Sequence, residues 1–178
     1  MLKAIATFTC AGFAVELPGA SAHTPLLSGT NMKVENAPKT AQEDQWTLAL
    51  WAADSAAHVL SLFEEKHAKD DRPRKAIEAV NAWTRGELSV SQARAAAFAA
   101  HAAARDCGDA AGRAAARSAG HAAATAHLAG HARYAAAYAV TASRASDPAH
   151  PDAAVATERD WQFRRLPKHL RAVAVASP

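Results

Sequence analysis

The sequence predicts an all-α, single-domain bundle of about six helices preceded by a disordered or loosely packed N-terminal extension. Three observations lead there. Between Ala93 and Ala145, 27 of 53 residues are alanine, the residue with the strongest helix propensity. Helix start and stop signals recur along the chain. No segment alternates apolar and polar residues as a half-buried strand does. The length of 178 residues suits one domain, and we place its boundaries at 40–175, with 1–39 as the extension.

The extension contains "MLKAIATFTCAGFAVELPGASA", whose lysine, apolar stretch and Ala20-Ser21-Ala22 resemble a signal peptide. Glu16 interrupts the apolar stretch, and Met32 offers a second start. We therefore expect an upstream extension outside the fold. Cys10 and Cys107 lack metal or redox spacing and are expected as free thiols in a reducing compartment. No apolar run is long enough to cross a membrane, and we expect a cytoplasmic protein.

The first helix begins at Thr40, which forms a capping box with Glu43, and runs to about Lys66. Its expected buried stripe is Trp46, Leu50, Ala53, Ala57 and Leu60, with Trp51, Val59 and Leu62 on other sides, as in a central helix. Asp71 caps the second helix and Pro73 sits in its first turn. Ala76, Ile77, Val80 and Trp83 face inward, and Gly86 ends it. Ser89 and Gln92 form another capping box, opening a helix to about Asp106. Gly108 stops that helix and Asp109 caps the next. The stretch from Asp109 to Arg144 is too long for one globular helix, so two helices should meet near Leu128 to Gly130. "ASDPAHPD" is a loop, the last helix spans about Asp152 to Arg165, and Pro167 precedes a short "KHLRAV" turn.

Polar residues inside this apolar pattern are the functional candidates. On a continuous helix His127 and His131 would lie about 40° apart, with His121 beside them. An i, i+4 histidine pair suits a metal, but no carboxylate occurs from Ala110 to Ser146. His101 falls on the inner stripe of its own helix and is expected to be buried and hydrogen-bonded. Asp54 and His58, also i, i+4, are the best acid–base pair, and serve equally as structural glue. We read Asp54, His58, His101, His121, His127 and His131 as a polar core that fixes helix register. No catalytic residue, metal ligand set or cofactor is assigned. Arg113, Arg117, Arg133 and Arg144 are expected to face acidic helices. The net charge of +3 is mild for nucleic-acid binding.

Four blocks carry a resemblance. They are "LWAADSAAHVLSLFEEKHAKDDRPRKAIEAVNAWTRGELSV", "QARAAAFAAHAAARD", "AARSAGHAAATAHLAGHARYAAAYA" and "ERDWQFRRLPKHLR". In this order, from about Gln45 to Val173, the chain resembles the immunity proteins of bacterial polymorphic toxin systems, in the immunity-protein-5-like group. Gly130 stands where a proline-type break would be expected in relatives. The resemblance implies a small helical cytoplasmic protein that binds and neutralises a cognate toxin without catalysis. A binding face needs aromatic and arginine anchors, and Trp161, Phe163, Arg164 and Arg165 are the candidates. The basic net charge argues against a strongly basic nuclease as the toxin. Two alternatives remain: a metal-binding protein or enzyme using the histidine and aspartate residues, and a nucleic-acid-binding bundle using the arginine-rich 113–144 region.

Overall fold

The computed structural model describes residues 40–175; the expectations for residues 1–39 concern residues outside that range. Among the described residues there are α-helices and one 3₁₀ turn, and no strand. Six helices of 13 residues or more form the bundle: α1 (Ala41–His58), α3 (Arg72–Thr84), α4 (Val90–Asp106), α5 (Ala110–Ala124), α6 (His131–Ser146) and α7 (Pro151–Arg165). Two short pieces are added, α2 (Ser61–Glu64) and α8 (Arg171–Val175). The 3₁₀ turn Lys168–Leu170 leads into α8 after Pro167. None of these helices is long and apolar enough to cross a membrane.

The helix ends follow local hydrogen bonding. Thr40 and Glu43 make the reciprocal capping box at α1, and Ser89 and Gln92 make it at α4. Asp109 Oδ1 accepts from the Gly112 amide at 2.8 Å and caps α5. Gly86, at φ 75°, ends α3. The Gly86 and Glu87 amides donate back to the carbonyls of Trp83 and Ala82, both at 2.9 Å, which is a Schellman closure. At α3 the expected Asp71 cap does not form; Asp70 Oδ1 accepts from the Arg72 amide instead.

Two features of α1 differ from expectation. The helix stops at His58 rather than near Lys66. The amides of Val59 and Leu60 donate to carbonyls three residues back, and this tightened turn buries Val59, Leu60 and Phe63 together. The buried stripe is also rotated. Leu48, Ala49, Trp51, Ala52, Ala53, Ser55 and Ala56 are buried, whereas Trp46 is 40% and Leu50 46% exposed. The rotation carries Leu48 and Trp51 inward among Ala49, Ala52, Ala53 and Ala56, and leaves Trp46 and Leu50 at the rim.

The innermost helix is α5. It packs against α1, α2, α3, α4 and α6. Nine of its 15 residues are buried, all of them Gly, Ala or Ser. Its bulky residues, Arg113, Arg117 and His121, recur every four positions on one side, so the rest of the helix can be surrounded. Each alanine buries little area, so contact comes from backbone proximity. Gly120 shows how close that is: a Cβ there would meet the His101 ring at 2.6 Å. Ser118 Oγ donates across the seam to the Ala135 carbonyl at 2.8 Å. Gln45, from α1, donates to the Thr125 and Ala126 carbonyls beyond the end of α5. The break between α5 and α6 starts at Thr125, slightly before the expected Leu128 to Gly130.

α7 is attached differently. Its only buried residues are Glu158 and Gln162. Gln162 Nε2 donates to the Ala136 carbonyl at 3.1 Å and to Glu158 Oε1 at 2.7 Å. Trp51 Nε1 donates to the Gln162 carbonyl at 2.9 Å. Polar bonds thus fix α7 against α1 and α6, and Leu166 and Leu170 close the apolar end of that contact.

Candidate functional site

The face formed by α7 and the end of α1 is built on the buried Glu158. Its Oε2 lies 2.7 Å from His58 Nδ1, which orients the imidazole outward from α1. One turn of α7 sets Trp161 parallel to that ring, with centroids 3.9 Å apart and 3° between planes. Arg165, four residues on, places its guanidinium 3.7 Å from the Trp161 ring. The result is a three-layer stack of imidazole, indole and guanidinium. Beside it, Phe163 is 38% exposed and carries the Arg171 guanidinium at 4.6 Å. Arg164 pairs with Asp160 one turn back. Both cations sit where the ring quadrupole attracts them.

Asp54 and His58 are both exposed on α1, and His58 takes Glu158 as its partner. Partial burial raises the Asp54 carboxyl above the usual carboxylate range, and the Arg165 charge opposes that rise. Glu158, Gln162 and Arg171, which order the face, were not singled out from sequence. Their one signal was an acid and an amide at i, i+4 in the last helix, on its inner side.

The other histidines fall into two groups. His101, His121 and His131 converge from α4, α5 and α6. The His101 and His121 centroids are 4.9 Å apart, edge to face. His121 Nδ1 and His131 Nδ1 are 3.2 Å apart, so one holds the hydrogen that the other accepts. His121 also stacks on Tyr138 at 5.3 Å. His127 is separate and exposed on the α5–α6 turn, where it helps line a groove of about 480 Å³ with Trp46, Trp83 and Val90. The break after Ala124 removes the continuous-helix register that would have stacked His127 on His131.

Burial lowers the basicity of all three clustered imidazoles. His121 is pushed down to about 4, first by burial and then by repulsion from His101, His131 and Arg117. A cation would meet the same guanidinium repulsion, which makes this cluster a poor metal site. His101 departs from expectation, because its buried Nδ1 has no hydrogen-bond partner among the described residues. Replacing His101 with leucine should therefore leave the unfolding free energy unchanged or raise it by about 1 kcal/mol, since an unsatisfied buried polar atom is removed. Urea unfolding of the variant checks this, and a clear loss would show that the ring holds the seam by polar contact.

The arginines of α5 and α6 also differ from expectation. Arg113 donates to the Cys107 and Gly108 carbonyls. Arg117 lies over Tyr138 and Arg133 over Tyr134. Among the described residues, Arg144 alone of the four meets an acid, Asp152, at 3.0 Å.

Comparison with known proteins adds a family. The family model described as "Imm-5 like putative immunity protein" matches residues 38–169. No curated protein and no solved structure matches the chain.

Proposed function

The chain belongs to the Imm-5 like immunity protein family, and from that premise we propose that it binds and neutralises a cognate bacterial toxin in the cytoplasm, without catalysis of its own. The observation that carries this reading is the extent of the match, from before α1 to His169 beyond α7. We assign the contact to the α7 face. The His58–Trp161–Arg165 stack supports that assignment, because its side chains are ordered before any partner arrives. Ordering them beforehand lowers the entropy lost on association. Tryptophan and arginine are also the residues most enriched at the energetic centre of interfaces. A partner would need to cover about 800 Å² on this chain, more than the stack alone, so Phe163 and Arg171 lie within the same footprint.

The test is co-expression with toxins encoded beside this gene, followed by binding to the toxin it neutralises. Growth protection and a stable complex are expected. Trp161→Ala should raise Kd by roughly 30-fold or more, the loss of a hot spot of about 2 kcal/mol, while the helical signal is retained. If no neighbouring toxin is neutralised, the proposal fails. If protection is intact in Trp161→Ala, the toxin is held by another face.

A further inference from the structure

A second group of chemically active side chains lies at the C-terminal end of α4. His67 follows α2, Cys107 ends α4 and Asp109 caps α5. Cys107 Sγ is 3.2 Å from His67 Nε2 and 3.3 Å from Asp109 Oδ2, and those two atoms are 3.7 Å apart. Ligands at 2.0–2.3 Å from a tetrahedral zinc ion stand about 3.3–3.8 Å from one another. The three atoms thus outline nearly one face of such a tetrahedron.

The geometry suits coordination rather than proton relay. In a Cys–His–Asp relay the carboxylate holds the ring nitrogen remote from the thiol. Here thiol and carboxylate both face Nε2, so all three donors converge. The donor set is also apt, because thiolate, imidazole and carboxylate together are zinc-class ligands.

Neighbours hold each donor in place. Asp109 uses Oδ1 to cap the Gly112 amide, which leaves Oδ2 turned toward Cys107 and His67. Phe63 stacks on His67 with centroids 4.7 Å apart. Arg113 anchors the Cys107 carbonyl. At Gly112, a Cβ would come within 2.9 Å of Asp109 Oδ2 and 3.0 Å of Cys107 Sγ. Glycine there leaves the room that the two donors occupy. Cys107 is buried, whereas the His67 and Asp109 side chains are 30% and 24% exposed, so solvent reaches two of the three donor residues.

We propose that His67, Cys107 and Asp109 bind one zinc-class divalent ion, with water as the fourth ligand. Binding converts the Cys107 thiol to a thiolate, and its proton leaves to solvent.

Cobalt(II) added to the reduced full-length chain is the probe. One equivalent should produce a thiolate-to-cobalt charge-transfer band and the visible bands of tetrahedral cobalt, and zinc(II) should bleach both. Cys107→Ser should abolish the charge-transfer band, whereas Cys10→Ser should keep it. His67→Gln, at a partly exposed position, and Asp109→Asn, which keeps a capping oxygen, should each weaken cobalt binding at least about tenfold. Gly112→Ala should act in the same direction, as disturbed supporting shells do. The proposal is overturned if excess cobalt gives no charge-transfer band, or if the band survives in Cys107→Ser. Failure of Cys107→Ser to fold leaves His67→Gln decisive, and unweakened binding in that variant also overturns it.

Discussion

Acidification from about pH 7 to about pH 4 should lower the unfolding free energy by about 2 kcal/mol through His121 alone, with His101 and His131 adding in the same direction. The unfolded imidazole titrates near 6.5, while the folded His121 titrates near 4. Between those values the unfolded chain holds more protons, so added acid draws the equilibrium toward it. Stability is therefore full above about pH 6.5, falls as the pH drops, and stops falling on this account below about pH 4. The whole interval corresponds to about 3 kcal/mol, and partial exposure of the ring to screening solvent reduces that to about 2. The charged groups around the cluster all favour the neutral form: Arg105 and Arg117 act on His101, Arg117 on His121, and His127 on His131. Tyr134 and Tyr138 contribute rings and no opposing charge. Urea melts across this pH range measure the slope. His121→Phe keeps a ring against Tyr138 and removes the titrating nitrogen, so its profile should be flatter. An equally steep profile in that variant would place the acid sensitivity elsewhere.

Phe63→Ala should destabilise the fold by about 3–5 kcal/mol, the upper range for a buried aromatic. Phe63 is completely buried and is the largest such side chain among the described residues. Its apolar cluster consists of Val59, Cys107 and alanines from α4, α5 and α6, with Leu62 and Tyr138 packed against it. Alanines have no rotamers with which to fill a void, and the short α2 is anchored by this one buried residue. The cavity would therefore stay open. Against a typical total of about 5–15 kcal/mol, such a loss leaves the domain near its limit. Denaturant unfolding with an unchanged m-value checks the figure, and a loss below about 1 kcal/mol would mean that the helices collapse around the gap. Phe63→Leu should retain most of the stability, because the residual volume is smaller.

Much of the local structure was legible residue by residue. Thr40 with Glu43, Ser89 with Gln92, Asp109 and Gly86 all mark helix ends as expected, since each acts on amides or carbonyls only a few residues away. The burial of α1 was not legible. Periodicity favours Trp46 and Leu50, yet the side that carries Leu48 and Trp51 with four alanines packs inward. Trp161, Phe163, Arg164 and Arg165, the residues expected at a binding face, share α7. The order of that face was not legible, because Glu158 reaches His58 from 100 positions away. The His67–Cys107 pair spans 40 positions, beyond any spacing rule for ligands.

Residue order alone specifies that this chain is helical, where most of its helices begin, and which family pattern it carries. Capping bonds and alanine propensity are short-range, so the order of residues is enough to specify them. Only the folded arrangement brings distant side chains together: His101 against Gly120, His58 with Glu158, and Cys107 with His67. Helices lined with alanine have little side-chain relief to specify one register, so their partners follow from how closely the backbones approach in three dimensions.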